Sequence, residues 1–332
     1  MASTRWLLFC TIFAAPIGAQ APTLADWDLI CFCNSRVSTP HFIVKMEDNG
    51  ALLYAARTGV TREELNHRGI AATADKVQLL KDWSLLTETT GTLRTAFPVL
   101  GPDRMRALRD SLRAAARANF PAIQPYANRI VAALRVSGDS ASAFTVLFSY
   151  VLDGLIWDEL WPDSAEPVST AITVERPFWN GAFWAVSPKR VNAPGTNSYR
   201  LNDSTRVLMM WTDNTLDALR PLQRDSALRA LLSRSDTRLT IVDERRDDVA
   251  RAGREMAHVV TEQIRSWIAH TDVGAMLDTS DPGLALVIAY HEYMWELVDE
   301  LVAQRVVAEP AAFHMATPAL ADLRSFLLVV RK

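Results

Sequence analysis

Apolar residues recur at helical spacing along most of this 332-residue chain, but the pattern is lost in one segment. Between about residues 163 and 214, proline, glycine, asparagine and aromatic residues dominate, and short apolar runs replace the helical period. Helices on both sides of a short β-rich segment predict an α+β, mainly helical fold. We therefore expect residues 101–332 to form a helical body that contains a small aromatic-rich β/loop insertion at about 163–214.

The first 21 residues have the three parts of a secretory signal. Arg5 supplies one positive charge, residues 6–15 are apolar, and residues 19–21 place small side chains at both ends of a cleavage triplet. The apolar run is shorter than the roughly 20 residues that span a bilayer. We expect cleavage after Ala21 and a periplasmic or extracellular protein without a membrane span. The alternatives are a buried N-terminal helix and an uncleaved membrane anchor.

Two cysteines, Cys31 and Cys33, remain after the predicted cleavage. A metal site needs more ligands than this pair supplies. A disulfide across one residue is strained, although an oxidising compartment could form it. We favour two small buried side chains near the start of the first helix.

The charge balance argues against two classes of partner. The formal net charge is −3, and removal of Arg5 with the signal makes it one unit more negative. This gives no electrostatic reason to expect a nucleic acid or an anionic membrane as partner. Ten tryptophans indicate a substantial core or an aromatic-lined pocket.

After an irregular stretch at 22–40, the order of predicted elements is helix, short helix, helix, strand, turn, strand. The residues that carry this order are Leu52-Leu53-Tyr54, the capping box Thr61-Arg-Glu-Glu-Leu65, Val77-Gln-Leu-Leu80 and the hairpin from Leu85 to Phe97. Over about residues 50–98 the order resembles a winged helix-turn-helix segment. The resemblance implies a third helix that reads the major groove, but here that helix carries Asp75 and Asp82 beside its lysines. We expect the winged-helix-like N-terminal region, residues 22–100, to be a scaffold.

Helices dominate the rest of the chain. Pro121 and Pro125 are predicted to interrupt the first long helix. The arginines before them, at 104, 106, 109, 113 and 117, are predicted to form a solvated face. Further helices are expected at 126–136, 140–160, 215–233, 245–269 and 282–305, and strands at 183–186, 206–211 and 238–242.

Four residues of the two C-terminal helices are candidate metal ligands. The spacing of three and four residues places Glu255, His258 and Glu262 on one helix face, and Glu-His pairs at such spacing bind metals in helical bundles. His291 begins a sequence like the zinc-protease H-E-x-x-H motif, but Trp295 stands where the second histidine is needed. Together Glu255, His258, Glu262 and His291 could hold a divalent transition metal such as zinc. The simpler interpretations are a solvated stripe and a hydrogen-bonded core histidine.

The two faces of the last long helix differ in character. His291 falls within the apolar arc, so its side chain is expected to point inward. Glu292, Glu296 and Asp299 fall on the opposite arc, where they face water or a neighbouring helix.

Residues 176–184 combine aromatic rings with an amide and a guanidinium, a mixture found in ligand sites and in protein interfaces. We expect a recognition surface from about 176 to 211, supported by neighbouring helices. The alternative is a core strand with a turn at Asn180 and Gly181. The candidate ligand-binding residues are Arg176, Trp179, Asn180, Trp184, Trp157 and Trp211.

The sequence contains no nucleophile elbow, phosphate-binding loop, dinucleotide glycine fingerprint or paired C-x-x-C motif. Our leading hypothesis is an exported protein that binds a small ligand or another protein, without catalysis and without a cofactor. The first alternative is a metal-dependent hydrolase or metal-binding protein that uses the four candidate ligands. The second is a membrane-anchored winged-helix regulator. Whether the protein is an enzyme stays open.

The export hypothesis predicts the N-terminus of the mature chain. When the gene product is made in a bacterial host and purified, N-terminal sequencing is expected to begin at Pro22, because the signal is removed after Ala21. A mature chain that begins at Met1 or Ala2 would contradict export and would favour the anchored alternative.

Overall fold

The computed structural model describes residues 22–36, 38–160, 168–191, 193–223, 225–233 and 239–332. The predicted signal segment lies outside these ranges. Of the described residues, 56% are helical and 18% lie in strands, so the prediction of an α+β, mainly helical fold is confirmed.

The N-terminal part begins with a strand, and four short helices and a small sheet follow. The capping box at the start of the third helix is confirmed, because Thr61 accepts from the Glu64 N–H and the Glu64 carboxylate accepts from the Thr61 N–H. The likeness of this part to a winged helix-turn-helix stays a resemblance. The elements are β1 (Asp28–Ser35), α1 (Pro40–Lys45), α2 (Asn49–Ala56), β2 (Val60–Thr61), α3 (Arg62–His67), α4 (Ala74–Asp82), β3 (Leu86–Thr89), β4 (Thr92–Thr95) and β5 (Val99–Leu100).

Strand β1 corrects two sequence predictions. The segment predicted to be irregular is extended and pairs with a later strand, and the cysteines lie in it rather than near a helix start. Cys31 and Cys33 form a disulfide and are only half-buried. Residues two apart in a strand point to the same face, which brings the two sulfur atoms together.

The remaining elements form the helical body. A π-helical segment, Val146–Leu155, joins α6 to α7, and Ser140–Leu160 is one continuous helix that we call the apolar helix. The elements are α5 (Pro102–Ser137), α6 (Ala143–Thr145), α7 (Ile156–Leu160), β6 (Trp179–Val186), β7 (Gly195–Asn202), β8 (Thr205–Trp211), α8 (Leu216–Leu219), α9 (Asp225–Ser233), β9 (Thr240–Asp243), α10 (Asp248–Ala269), α11 (Val273–Leu277), α12 (Pro282–Ala303) and β10 (Leu327–Arg331).

The apolar helix is long and apolar enough to cross a membrane by length and composition alone. However, 72% of its most apolar window is buried inside the protein, where it packs against α10 and α12. Its composition is therefore that of a central core helix, most of which is covered by neighbouring elements.

Helix α5 is continuous through the two prolines that were predicted to interrupt it. Pro121 and Pro125 are one turn apart on the exposed side of the helix, so water can reach the carbonyl groups that lose their partners. The buried stripe continues past them through Ile123, Ala127 and Ile130.

Three arginines of α5 bind three glutamates of α12, and we call this set the ion-pair ladder. The prediction that the arginines at 104, 106, 109, 113 and 117 form a solvated face is wrong for Arg109, whose side chain is 13% exposed, whereas Arg104, Arg106 and Arg117 are exposed. The three glutamates face the neighbouring helix. Each pair lies four residues beyond the previous pair in both helices, so the two helices run parallel with their turns in step. The pairs are Arg109–Glu292 at 2.9 Å, Arg113–Glu296 at 3.0 Å and Arg117–Glu300 at 2.9 Å.

Two of the three sheets of the described chain connect distant parts of the sequence. One has the order β1-β6-β5, and the other has the order β7-β8-β10-β9. The aromatic-rich segment thus pairs with strands from both ends of the chain. The third sheet, β2-β4-β3, belongs to the N-terminal part.

Strand β6 is buried along its whole length and separates two hydrophobic cores. Trp179, Phe183 and Ala185 belong to the smaller N-terminal core, whereas Trp184 belongs to the core of the helical body. The turn predicted at Asn180 and Gly181 is not formed, because both residues continue the strand.

The ladder predicts unequal effects for two similar substitutions. Glu292→Gln is expected to lower the free energy of unfolding by roughly 3 kcal/mol, because Arg109 is left almost buried without its counter-charge. Glu300→Gln is expected to cost less than about 1 kcal/mol, because the side chain of Arg117 is 67% exposed and water can replace the pair. Urea unfolding at pH 7 measures both, and equal losses would contradict this account.

Candidate ligand-binding cavity

A cavity of about 640 Å³ lies where the sheet of β1 and β6 meets the helical body. Residues of the apolar helix, of β7 and β8 and of α12 complete its wall. The volume lies within the range of roughly 300–1,000 Å³ that is usual for small-ligand sites.

Four tryptophans from four separate segments line the cavity. Trp157 packs against Phe32 of β1, with ring centroids 4.9 Å apart. Trp184 and Trp295 both meet the His291 ring edge to face, at centroid distances of 5.2 and 6.2 Å. The indole of Trp211 covers Gly195, where an added Cβ would lie 2.4 Å from a ring carbon. Aromatic rings therefore form a substantial part of the wall.

His291 and Glu292 connect the cavity to the ion-pair ladder. His291 Nδ1 lies 3.3 Å from one carboxylate oxygen of Glu292, and Arg109 Nε donates to the other at 2.9 Å. Burial acts to raise the pKa of Glu292, but the hydrogen bonds and charges of His291 and Arg109 outweigh it and hold that pKa at about 2. The carboxylate is therefore ionised at neutral pH, and it orients the imidazole.

Two aspartates of the cavity wall are less easily ionised. Burial raises the pKa of Asp153 to about 6, although hydrogen bonds from Thr196 and Trp157 oppose the shift. The Trp157 indole N–H donates to Asp153 at 3.1 Å. Burial also raises the pKa of Asp28, and the charge of Lys189 partly offsets this. The Asp153 carboxyl can therefore change protonation state closer to neutral pH than an exposed aspartate does.

Four buried N–H donors on lining residues have no hydrogen-bond partner within the described part of the chain. They are the indole N–H groups of Trp184 and Trp211 and the Nε–H groups of Arg190 and Arg206. A buried donor without a partner costs about 1–3 kcal/mol, and native proteins contain few of them. Their concentration around one cavity calls for an explanation.

The predicted ligand-binding residues separate into two groups. Trp157, Trp184 and Trp211 come together at the cavity. The other three, Arg176, Trp179 and Asn180, do not line it.

These three side chains have structural contacts instead. The Trp179 N–H donates to the Trp83 carbonyl at 2.7 Å within the smaller core. Arg176 donates to the Asn180 side chain at 3.3 Å, and Asn180 donates to the Ala171 carbonyl at 2.7 Å. They therefore hold the segment before β6 in place.

The predicted metal ligands are not brought together. His258 lies 3.0 Å from Glu159 on an exposed face, whereas His291 lines the cavity. Glu255 pairs with Arg129 and Glu262 pairs with Arg265. Across the residues with described positions, no group of three or more His, Cys, Asp or Glu side chains is arranged to hold a metal ion. The geometry gives the zinc hypothesis no support.

Sequence reasoning missed the charged part of the wall. Lys189 and Arg190 follow β6 in a loop, and Arg206 is the second residue of β8, and no motif singles them out. One sequence feature did point to a polar site: Asp153 lies four residues before Trp157 on the same helical face, which places a carboxyl group beside an aromatic ring.

The fold and cavity define an α+β, mainly helical protein with an internal, tryptophan-lined polar site. Comparison of the chain with protein-family models, with curated proteins and with solved structures found no match. The function must therefore be argued from the site itself.

The pKa of Asp153 predicts how stability depends on pH. Its folded-state value lies above the roughly 3.9 of an unfolded chain, so the contribution of Asp153 to stability is lost as pH rises from about 4 through about 6. Asp153→Asn keeps an acceptor for the Trp157 N–H but cannot ionise. The free energy of unfolding of this variant, relative to the wild type, is expected to increase by roughly 2–3 kcal/mol across that window. Urea unfolding at pH 4, 5, 6 and 7 measures it, and a constant difference would contradict the assignment.

Proposed function

We propose that this is an exported protein that binds a small polar ligand in the tryptophan-lined cavity. The observation that carries the proposal is the set of four buried donors without partners on the wall of one cavity. A ligand that supplies acceptors would remove a cost that the free protein bears.

The distribution of the aromatic side chains favours a small ligand over a protein partner. Protein interfaces depend on aromatic anchors that the partner can reach. Trp179 and Trp184 are 4% and 0% exposed, so neither can anchor a protein on the surface. The cavity, in contrast, has walls on several sides and holds a molecule of limited size.

The disulfide supports the proposed location. Disulfides persist in secreted and periplasmic proteins and are rare in the cytosol. The bond between Cys31 and Cys33 is consistent with an oxidising compartment and so with the predicted export signal.

Occupancy of the cavity can be tested by ligand-induced stabilisation. Thermal unfolding of the purified mature chain is measured with a panel of neutral sugars, amino acids, dicarboxylates, nucleosides and inorganic phosphate. A ligand at about 100 times its Kd stabilises the folded state by roughly 2.7 kcal/mol, which raises Tm by about 5 °C in a chain of this size.

Matched variants locate the binding. Ala193 is half-buried on the cavity wall, and Ala193→Phe is expected to abolish the shift because the ring occupies the cavity. Ala118 is exposed on α5, and Ala118→Phe is expected to leave the shift unchanged. The proposal fails if no compound raises Tm, or if the shift survives in the Ala193→Phe variant.

A further inference from the structure

The positive charges of the cavity wall are already compensated. Arg109 binds Glu292 and Lys189 binds Asp213 at 2.6 Å. The other two arginines are likewise paired. Arg190 binds Glu296 and Asp299, and Arg206 binds Glu244.

This compensation argues against a charged ligand. Among the described lining residues an anion would meet no unpaired lysine or arginine, and it would lie beside the carboxyl groups of Asp28 and Asp153. A simple cation could pair with those carboxyl groups, but it carries no acceptor for the guanidinium and indole N–H groups, which only donate hydrogen bonds. A neutral molecule avoids both penalties.

The cavity wall offers a ligand both hydrogen-bond donors and a hydrogen-bond acceptor. The two indole N–H and two guanidinium Nε–H groups need acceptors. Asp28, which faces the same cavity, makes no hydrogen bond through its carboxyl group within the described chain and offers an acceptor. A hydroxyl group donates one hydrogen bond and accepts two, so a molecule with several hydroxyls can satisfy both kinds of group.

The aromatic side chains of the wall also favour a ligand that has apolar surface of its own. Trp157 and Trp211 are half-buried and present flat ring surfaces that are well suited to packing against C–H groups, whereas Trp184 and Trp295 lie buried in the wall behind them. A ring that carries hydroxyl groups at its edge and C–H groups on its faces combines these features.

From these observations we infer that the ligand is a neutral carbohydrate, with its ring against Trp157 and Trp211 and its hydroxyls bound by Asp28 and by the unpartnered N–H groups of Trp184, Trp211 and Arg190. The inference rests on the proposed function and specifies its ligand class.

The test compares sugars that share a ring but differ in charge. Glucose, glucuronate and glucosamine are titrated into the mature wild-type protein by calorimetry, together with galactose, mannose, N-acetylglucosamine, maltose and cellobiose. At least one neutral saccharide is expected to bind, and at least 10-fold more tightly than either charged sugar. Tighter binding of glucuronate or glucosamine than of every neutral saccharide would overturn the inference.

A pair of tryptophan variants tests the contacts. Trp184→Phe keeps an aromatic ring but removes the N–H, and we expect affinity for the bound saccharide to fall about 3- to 10-fold. Trp179→Phe removes an N–H that is bonded to Trp83 in the other core, and affinity is expected to stay within about 2-fold. If Trp184→Phe does not fold, Trp211→Phe removes the second unpartnered indole N–H of the wall and serves in its place. Unchanged affinity in the folded variant would overturn the proposed contacts.

The outcomes separate the two proposals. If a dicarboxylate, amino acid or phosphate stabilises the protein, no neutral saccharide does, and Ala193→Phe abolishes the effect, the cavity binds a ligand but the carbohydrate assignment is wrong. If neither saccharides nor the wider panel bind, the proposed function itself fails.

Discussion

The structure depends on a strand that is covered on both faces. Alternate residues of β6 enter different cores, so that Phe183 packs with the N-terminal helices and its neighbour Trp184 packs with the helical body. A shift of one residue would exchange these two sets of side chains. Gly181 opposes such a shift, because its backbone lies against β1 so closely that an added Cβ would be 2.2 Å from the Phe32 carbonyl oxygen. The register of β6 thereby positions Trp184 at the cavity.

Helix α12 positions further side chains at the cavity. Its buried glutamates meet α5 on one side, and His291 and Trp295 reach the cavity on the other. The ladder opposes rotation of α12 about its axis, because each turn contributes a charge that must stay near its partner on α5. Glu292 belongs to both arrangements, since it binds Arg109 and orients His291. The polar groups of the cavity are thus held by contacts that also stabilise the fold.

Features of the fold that depend on residues close together in the sequence could be predicted, whereas features that depend on distant residues could not. The helices at 245–269 and 282–305 were predictable because their apolar periodicity is local, and they are present as α10 and α12. Strand β1 was not, because it forms only by pairing with β6, which lies far away in the sequence. The ladder joins residues 183 positions apart, and the four-residue repeat in each helix does not identify its partner. The tryptophans were predictable as candidates by type, but their convergence depends on the pairing of β6 with β1.

The unpartnered donors distinguish a packed core from a site. If Trp184 only filled space, phenylalanine could serve without a buried N–H that lacks an acceptor. Each such donor costs about 1–3 kcal/mol, and four of them amount to a large part of the roughly 5–15 kcal/mol that separates folded from unfolded proteins. The ion pairs and the two hydrophobic cores offset the free-energy cost of these donors, so the protein can fold with them unpartnered. That cost is recovered when a molecule with acceptors enters the cavity. Under the proposed function, binding and stability are coupled, since any molecule that satisfies these donors also favours the folded state.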